Sequence, residues 1–459
     1  MIKASTIGKE AGKMDMTQGD IWKQLIVFSV PLLISNLLQQ FYNTADVLIV
    51  GKFVGNNALA AVGSCSVLVS MLTLFFIGIS SGANVRAATA FGMGRYNKLR
   101  QVVHTTASIS ILSGLSLTLL GVFFSPVLFK WMNTPDEVMD LAVLYSRIYF
   151  LGMIPMMIYN MGSGLLTAWG DSKTPLYFLA GSGIGNVLMD LLLVVVLKTG
   201  VGGAAVATVF TQVVLAVLMV RKLMKADKEY RLSFENFRAD KTTFREIVRI
   251  GIPSGIQSVL VSFSNVIVQT NVNLFGVSAM AGFAAFNKID GFMFMPIGAF
   301  VNAIAAFTGQ NYGAQKSQRI AEGRKKCFIM SGGVTVVMSL FFIFFGKHVL
   351  GMFTDDAQAI AFGVKEIKYQ FPLYFIYSIN QVQIGVMRGK GIVVAPMLIT
   401  LLCMCGLRIA WICTALTYYK DPRVIFLSYP LTWIVTSLVL GIYLLKLKKV
   451  TDRQVAVAK

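Results

Sequence analysis

The sequence predicts an all-α polytopic membrane protein with twelve transmembrane helices, arranged as two parallel six-helix repeats. The chain of 459 residues is 56% hydrophobic and only 14% charged, whereas a soluble domain contains about 25% charged residues. Twelve apolar segments are long enough to cross a bilayer, and residues of the two halves match at a nearly constant spacing. Together these observations indicate a duplicated helical membrane protein.

The apolar segments define the predicted helices, because a spanning helix needs about 20 apolar residues. The seventh and eighth share the uncharged run Ile250–Asn287, which is too long for one span, and Gly276 is the expected break because glycine tolerates tight turns. The predicted spans are 25–48, 57–82, 101–125, 141–166, 175–197, 202–222, 250–273, 278–305, 326–346, 366–387, 392–417 and 424–445.

Basic residues predict the orientation. If both termini are cytoplasmic, 29 of the 41 Lys and Arg residues lie on the cytoplasmic side, as the positive-inside rule requires. The same distribution explains the net charge of +20 without invoking nucleic acid. The predicted organisation is a cytoplasmic N-terminal segment (1–24), a first six-helix lobe (25–222), a cytoplasmic linker (223–249), a second six-helix lobe (250–446) and a cytoplasmic tail (447–459).

The two halves repeat with an offset of 220 to 222 residues. A constant offset over such a length indicates duplication rather than chance. Because six spans separate equivalent positions, the halves share one topology, which is the architecture of transporters that work by alternating access. The matched pairs include Pro31 and Pro253, Gly55 and Gly276, Gly92 and Gly313, Thr134 and Thr354, Gly170 and Gly391, and Pro175 and Pro396.

One polar pair stands out within the fifth predicted span. Asp190 is the only charged residue of the 24-residue run Thr174–Leu197, and Asn186 lies one helical turn before it on the same face. A carboxylate in a spanning helix costs at least about 2.5 kcal/mol on insertion scales and is a functional-site hypothesis by default. The equivalent residues of the second half are Leu407 and Trp411, so the repeated fold does not require polarity here.

Asp46, near the end of the first span, is the second such acid, and its counterpart is Ile267 or Val268. Acids in an apolar environment hold protons tightly, and carboxylate, amide and hydroxyl oxygens also suit a small hard cation such as Na⁺. We therefore predict a site for H⁺ or Na⁺ at Asp46, Asn186 and Asp190, with Thr208 and Asn43 as further ligands. The alternative for Asp46 is a helix-end carboxylate that reaches the aqueous boundary or packs against a loop amide.

A substrate cavity is predicted from soft, aromatic and polar side chains in the fourth, eighth and eleventh spans. Methionine and aromatic side chains suit varied flat cations. Lys288 and Asp290 form a half-buried structural ion pair or line the cavity, and Arg408 pairs with a neighbouring acid or lines it. The predicted cavity residues are Met153, Met157, Tyr159, Asn160, Lys288, Asp290, Met293 and Arg408.

Several classes of protein are disfavoured. The two histidines, His104 and His348, are not near a candidate nucleophile, so no enzyme is predicted. The chain contains no Walker A motif, so ATP is not expected to drive it directly. We expect no cofactor, no nucleic acid partner, and a monomer that contacts membrane lipid and small molecules.

With these residues assembled, the chain resembles the multidrug and toxic compound extrusion (MATE) family over roughly residues 20–446. The matching stretches include the Pro31 helix start, Tyr42–Gly55, Ala58–Ala61, Gly92, Gly164–Pro175, Asn186–Asp190 and Gly203–Thr208.

The resemblance implies a secondary antiporter that exports organic cations and drugs in exchange for H⁺ or Na⁺. In the branch that resembles the DNA-damage-inducible F type, the cation site corresponds to Asp46, Asn186 and Asp190. The other branch also uses acids in spans 7 and 10. Ile250–Asn273 and Tyr369–Met387 contain none, so a second-lobe cation site of that kind is not expected.

The expected function is thus cation-coupled drug export from the plasma (inner) membrane of a prokaryote. One alternative is a lipid-linked precursor flippase of the same superfamily, which would need a larger and more cationic cavity. The other is an ion channel, although the sequence shows no pore helix or carbonyl filter signature.

Overall fold

A computed structural model describes residues 14–132, 134–235 and 237–457, without the side chains of Met71 and of residues 447–457. Most of the predicted terminal segments 1–24 and 447–459 therefore lies outside the residues whose side chains are described. The described ranges are predominantly helical and contain no strand, which confirms the all-α prediction. The helices are α1 Ile21–Phe53, α2 Asn56–Gly92, α3 Tyr96–Trp131, α4 Asp136–Leu151, α5 Met153–Ala168, α6 Lys173–Asp190, α7 Gly200–Met224, α8 Lys241–Asn273, α9 Val277–Gly313, α10 Ser317–Leu350, α11 Ala357–Gln370, α12 Tyr374–Gly389, α13 Val394–Ile399, α14 Leu407–Tyr418 and α15 Arg423–Val457.

The helix boundaries repeat between the two halves. Helices α1 and α8 both have 33 residues, and α2 and α9 both have 37. Gly55 and Gly276, which precede α2 and α9, have backbone φ angles of +113° and +93°, a region that glycine enters without a steric penalty. The predicted break at Gly276 is confirmed.

Ten described helices are long and apolar enough to cross a membrane, or eleven if the bent pair α4 and α5 counts as one span. The fourth and tenth predicted spans therefore differ from the expectation of continuous helices. The fourth bends by 49° between Leu151 and Met153. The tenth is divided into α11, with 14 residues, and α12, with 16. Pro372 lies in the 3₁₀ turn Phe371–Leu373 between them, and it cannot donate the hydrogen bond that would continue the helix.

The chain forms two compact units, and two of the three boundaries between them lie inside helices α8 and α9. The first unit runs to Gly255 and includes Gly309–Lys316, and the second comprises Ile256–Thr308 and the chain from Ser317 onward. The first half of α8 belongs to the first unit because glycines allow it to approach α2 closely. A Cβ added to Gly255 would lie 2.4 Å from the Phe75 carbonyl oxygen, and one added to Gly78 would lie 2.2 Å from the Gly255 nitrogen. Helix α8 also begins at Lys241, inside the predicted linker.

Within the first unit, the backbone of Met14–Thr17 is held by side chains from the end of α9. The Met16 N–H donates to Gln310 Oε1 over 2.9 Å, and the Met16 carbonyl accepts from Asn311 Nδ2 over 3.0 Å. Gly170, with a φ of +95°, leaves space for this segment, since a Cβ at Gly170 would lie 2.2 Å from the Met14 carbonyl oxygen. The segment is therefore built into the first unit.

Candidate functional site

Two carboxylates from different helices come together in the first unit. Asp46 lies on α1, and Asp190 is the last residue of α6, which packs against α1. Asp190 is fully buried, Asp46 is half-buried, and the two side chains are close enough for their charges to interact. Like charges at close range in an apolar setting repel strongly, so this pair favours any ligand that neutralises it.

Asn186 completes a polar face on α6, one turn before Asp190. Its side chain is buried, with only 1% exposed. Five buried polar atoms of the three residues have no hydrogen-bond partner among the described residues, namely Asp46 Oδ1, both Asp190 carboxylate oxygens, and the amide oxygen and nitrogen of Asn186. Buried polar atoms are almost always paired, and the four oxygens of this set are of the kind that accept a proton or coordinate a small cation. We refer to Asp46, Asn186 and Asp190 as the α1–α6 acid cluster.

The composition of the α1–α6 acid cluster limits what it can bind. Among the described residues, no group of three or more His, Cys, Asp and Glu side chains is positioned to hold a metal ion. Two carboxylates and one amide supply hard oxygen ligands and at most two negative charges. That set suits a proton or a small monovalent cation better than a tightly held transition metal, which prefers imidazole or thiolate ligands.

Tyr145 of α4 is a member of the site that sequence reasoning missed. Its side chain is close enough to both Asp46 and Asp190 to interact with them electrostatically. The ring is buried and stacks on Tyr149 with 6.0 Å between ring centroids. A tyrosine in an apolar segment carries no charge to mark it, and only its proximity in the fold assigns it to the site.

The helix that carries Asp190 changes its hydrogen-bonding pattern immediately after it. Leu191–Val196 form a π-helical segment, and the hydroxyl of Thr199 donates to the Leu193 carbonyl over 2.7 Å. π-Helical turns are rare and often occur at functional sites. The irregular backbone thus begins directly after Asp190, the residue at the centre of the predicted site.

The two further predicted ligands, Thr208 and Asn43, make no described contact with the acids of the cluster. Thr208 is half-buried, and its hydroxyl donates to the Ala204 carbonyl of its own helix over 3.1 Å. The Asn43 side chain is exposed. Within the described contacts, no hydrogen bond joins either residue to Asp46 or Asp190, so their roles as ligands remain predictions.

The cavity residues predicted in the first half lie in or beside its core. Met153 and Met157 are fully buried among apolar side chains. The Tyr159 hydroxyl donates to the Pro175 carbonyl over 3.1 Å, and Asn160 Nδ2 donates to the Met156 carbonyl over 3.0 Å. Their observed contacts are structural.

The second unit contains a cavity of about 400 Å³ that two of the predicted residues line. Asp290 and Arg408 both face it, whereas Met293 is fully buried in the core of this unit and Lys288 is exposed. Lys288 and Asp290 therefore differ in environment, and no ion pair between them is found among the described residues. The other lining residues are Val261, Asn265, Val266, Gln269, Phe283, Asn287, Phe294, Tyr374, Tyr377, Met404, Cys405, Tyr429 and Trp433.

Glu366 of α11 is a second residue that sequence reasoning passed over. It is fully buried, its Oε1 accepts from Gln370 Nε2 over 2.8 Å, and its Oε2 has no partner. It is also close enough to Asp290 for the two charges to interact. The sequence does place this acid at the first residue of the predicted tenth span, 366–387, and that position could have identified it as an acid of a spanning segment.

Comparison with known proteins agrees with this fold. The MatE family model matches residues 31–192 and again 253–413, once in each half. The chain therefore belongs to the MatE family, and it is a multi-pass membrane protein of a transporter family. The double match reproduces the repeat spacing read from the sequence.

Individual relatives cover nearly the whole chain. The probable multidrug resistance protein YoeA of Bacillus subtilis is 27% identical over 441 residues, which are 94% of this chain and 95% of that protein. The multidrug export protein MepA of Staphylococcus aureus is 22% identical over 380 residues, 81% of this chain and 82% of that one. A solved outward-facing multidrug resistance MATE family transporter shares the fold with a TM-score of 0.88 at 20% identity, covering 96% of this chain and all of the other.

Proposed function

We propose that this protein is a multidrug efflux antiporter that exports organic cations in exchange for H⁺ or Na⁺. The observation that carries the proposal is the α1–α6 acid cluster, with its five buried polar atoms that have no partner. The names of the relatives, which describe multidrug resistance and export, support the class of substrate. We place both termini in the cytoplasm because of the distribution of basic residues, and we place the protein in a prokaryotic plasma membrane because its relatives are bacterial export proteins.

The acid cluster couples the ion to transport by differential affinity. An ion entering from outside neutralises the repulsion between Asp46 and Asp190 and gives the Asn186 amide a partner, either the ion itself or a protonated carboxyl. A ligand shifts a conformational equilibrium only as far as it binds one state better than the other. The ion therefore drives the change only if the cluster binds it more tightly in one conformation.

The same atoms can hold either ion. A proton on Asp190 would donate to a neighbouring oxygen, such as that of Asn186. A Na⁺ ion would take the carboxylate and amide oxygens together. The rival flippase requires a strongly cationic cavity, and among the described residues the second-unit cavity is lined by one arginine and one aspartate.

The site assignment is tested by Asp190→Asn in a drug-sensitive bacterial host. At equal expression the variant should confer no more drug resistance than the empty vector. Asp140→Asn is the matched control, because Asp140 is an exposed acid on α4, and it should confer wild-type resistance. Wild-type resistance from Asp190→Asn would exclude Asp190 from the coupling site.

A further inference from the structure

The second-unit cavity contains a buried arginine that is firmly held. Arg408 is 4% exposed. Its guanidinium lies over the Tyr429 ring at 4.1 Å from the centroid, and it donates to Asn265 Oδ1 over 3.2 Å and to Thr432 Oγ1 over 3.4 Å. These contacts fix the orientation of the planar group, which is well suited to bind a carboxylate through two parallel hydrogen bonds.

The charge of Arg408 has no direct counterion in the part of the chain that the structure describes. Within the described residues, no carboxylate lies within 4.0 Å of it, and its Nε has no hydrogen-bond partner. A buried charge is costly unless it is paired. The neutral oxygens of Asn265 and Thr432 position the guanidinium but do not neutralise it, so an anionic group in the cavity would gain the full interaction.

Asp290 gives the same cavity a site of opposite charge. The Tyr374 hydroxyl donates to Asp290 Oδ1. The Asp290 carboxylate is close enough to Arg408 for their charges to interact, yet the two do not form a direct ion pair. The cavity therefore presents a cation and an anion that are separated, which is the pattern that complements a ligand carrying both charges.

Aromatic side chains contribute a large part of the cavity wall. Phe294 packs edge-to-face against Tyr377 with 5.4 Å between centroids, and Tyr377 packs against Trp433 at 5.4 Å. Aromatic rings favour stacked and edge-on contacts with other rings. The volume of about 400 Å³ is within the range of small-molecule sites.

We propose that this cavity binds amphoteric aromatic molecules, with a ligand carboxylate on Arg408 and a ligand ammonium group facing Asp290. The site is distinct from the α1–α6 acid cluster and selects a different chemistry from a simple organic cation. It concerns binding alone, so it holds whether or not Asp190 couples transport to an ion.

Calorimetric titration of the purified full-length protein in lipid nanodiscs tests the proposal with three ligands that share an indole ring. Tryptophan carries both charges, indolepropionate only the carboxylate, and tryptamine only the ammonium group. A hydrogen bond to a charged group contributes about 1.5–3 kcal/mol, so tryptophan should bind at least about tenfold more tightly than either single-charge ligand. If the wild-type protein binds tryptamine as tightly as tryptophan, or more tightly, the proposal is wrong.

Two substitutions then separate the charges. Arg408→Gln should weaken tryptophan and indolepropionate at least about tenfold and leave tryptamine unweakened. Asp290→Asn should weaken tryptophan and tryptamine and leave indolepropionate unweakened. Arg147→Gln is the matched control, because Arg147 is exposed on α4 and bonds to the Val122 carbonyl, and it should bind all three ligands like the wild type. If Arg408→Gln binds indolepropionate like the wild type, Arg408 is not the anchor.

Two further variants complete the test. If Arg408→Gln does not purify as a single species, Arg408→Lys retains the charge but not the planar fork. It should bind indolepropionate more weakly than the wild type, and unchanged binding would overturn the proposal. Loss of coupled export is measured on Asp190→Asn and loss of tryptophan binding on Arg408→Gln, so failure of one proposal is distinguishable from failure of the other.

Discussion

Tyr145 and Glu366 occupy equivalent positions in the two halves, 221 residues apart, and each lies beside an acid of its own half. Helices α4 and α11, which carry them, begin at Asp136 and Ala357, with the same offset. The neighbour of Tyr145 is Asp46, and that of Glu366 is Asp290. The second-unit acids share their surroundings with Arg408, whereas no basic side chain is found in the described contacts of the α1–α6 acid cluster. The duplicated fold thus carries two different charge arrangements.

Tyr145→Phe should change how the coupling ion binds without preventing folding. The substitution keeps the buried ring and removes a hydroxyl close to Asp46. We expect this hydroxyl to bond to the ion-binding carboxylate, and a hydrogen bond to a charged group contributes about 1.5–3 kcal/mol. The ion concentration for half-maximal drug efflux should shift by about tenfold or more, while the drug KM at saturating ion stays unchanged. Tyr177→Phe, at an exposed position of α6, is the control. An unchanged ion dependence would remove Tyr145 from the site.

Asn186→Leu should abolish coupled efflux while the protein stays folded. Leucine is the residue at the equivalent position of the second half, Leu407. Replacing a buried amide that has no partner with an apolar group of similar size is close to neutral for stability. Thermal unfolding should therefore match the wild type, whereas ion-driven efflux should be lost. Wild-type efflux from this variant would show that the amide is not a ligand.

Gly170→Ala should release Met14–Thr17 from the first unit. The new Cβ would lie 2.2 Å from the Met14 carbonyl oxygen, and overlap of this kind costs about 1–3 kcal/mol. Gly94→Ala is the matched control, because Gly94 also has a positive φ, +66°, but no atom within 4 Å of its added Cβ. Thermal unfolding and protease cleavage near Met16 report the difference. If both variants behave alike, backbone strain alone determines the effect.

Asp240→Ala should lower stability by about 1 kcal/mol, the usual cost of losing a helix N-cap. The Asp240 carboxylate accepts hydrogen bonds from the Thr243 hydroxyl and N–H, both over 2.6 Å, at the start of α8. These bonds lower the pKa of Asp240 in the folded protein. The stabilisation is therefore complete above the unfolded-state pKa and is lost as pH falls through the folded-state value.

Thermal unfolding of wild type and Asp240→Ala across acidic pH measures this effect. The two proteins should differ at neutral pH and converge as the buffer becomes strongly acidic. Asp140→Ala, which removes an exposed acid of α4, should not differ from wild type at neutral pH. A difference between wild type and Asp240→Ala that does not shrink in acid would contradict the cap as its source.

The helices, the repeat and the break at Gly276 could be predicted, because apolar length and glycine geometry are local properties of the sequence. The π-helical segments Leu191–Val196 and Thr400–Gly406 could not, since a shift in backbone hydrogen bonding depends on the packing of neighbouring helices.

The candidate site shows the same division. Asp190 and Asn186 were visible because polar residues are costly in an apolar run. Tyr145 was not, because an aromatic residue there looks like core, and its proximity to Asp46 arises only from tertiary structure. The exposure of the Asn43 side chain could not be predicted either, because nothing in the local sequence of α1 indicates which of its faces packs inside.

Coupling itself is measured most directly by dye efflux from vesicles that contain the purified protein. An organic cation such as ethidium is loaded, and a pH gradient or a Na⁺ gradient is imposed in separate experiments. Wild-type protein should drive ethidium against its concentration gradient under at least one of the two, and Asp190→Asn should drive none under either. Uphill transport by Asp190→Asn equal to that of wild type, or no response of wild type to either gradient, would contradict ion coupling at Asp46 and Asp190.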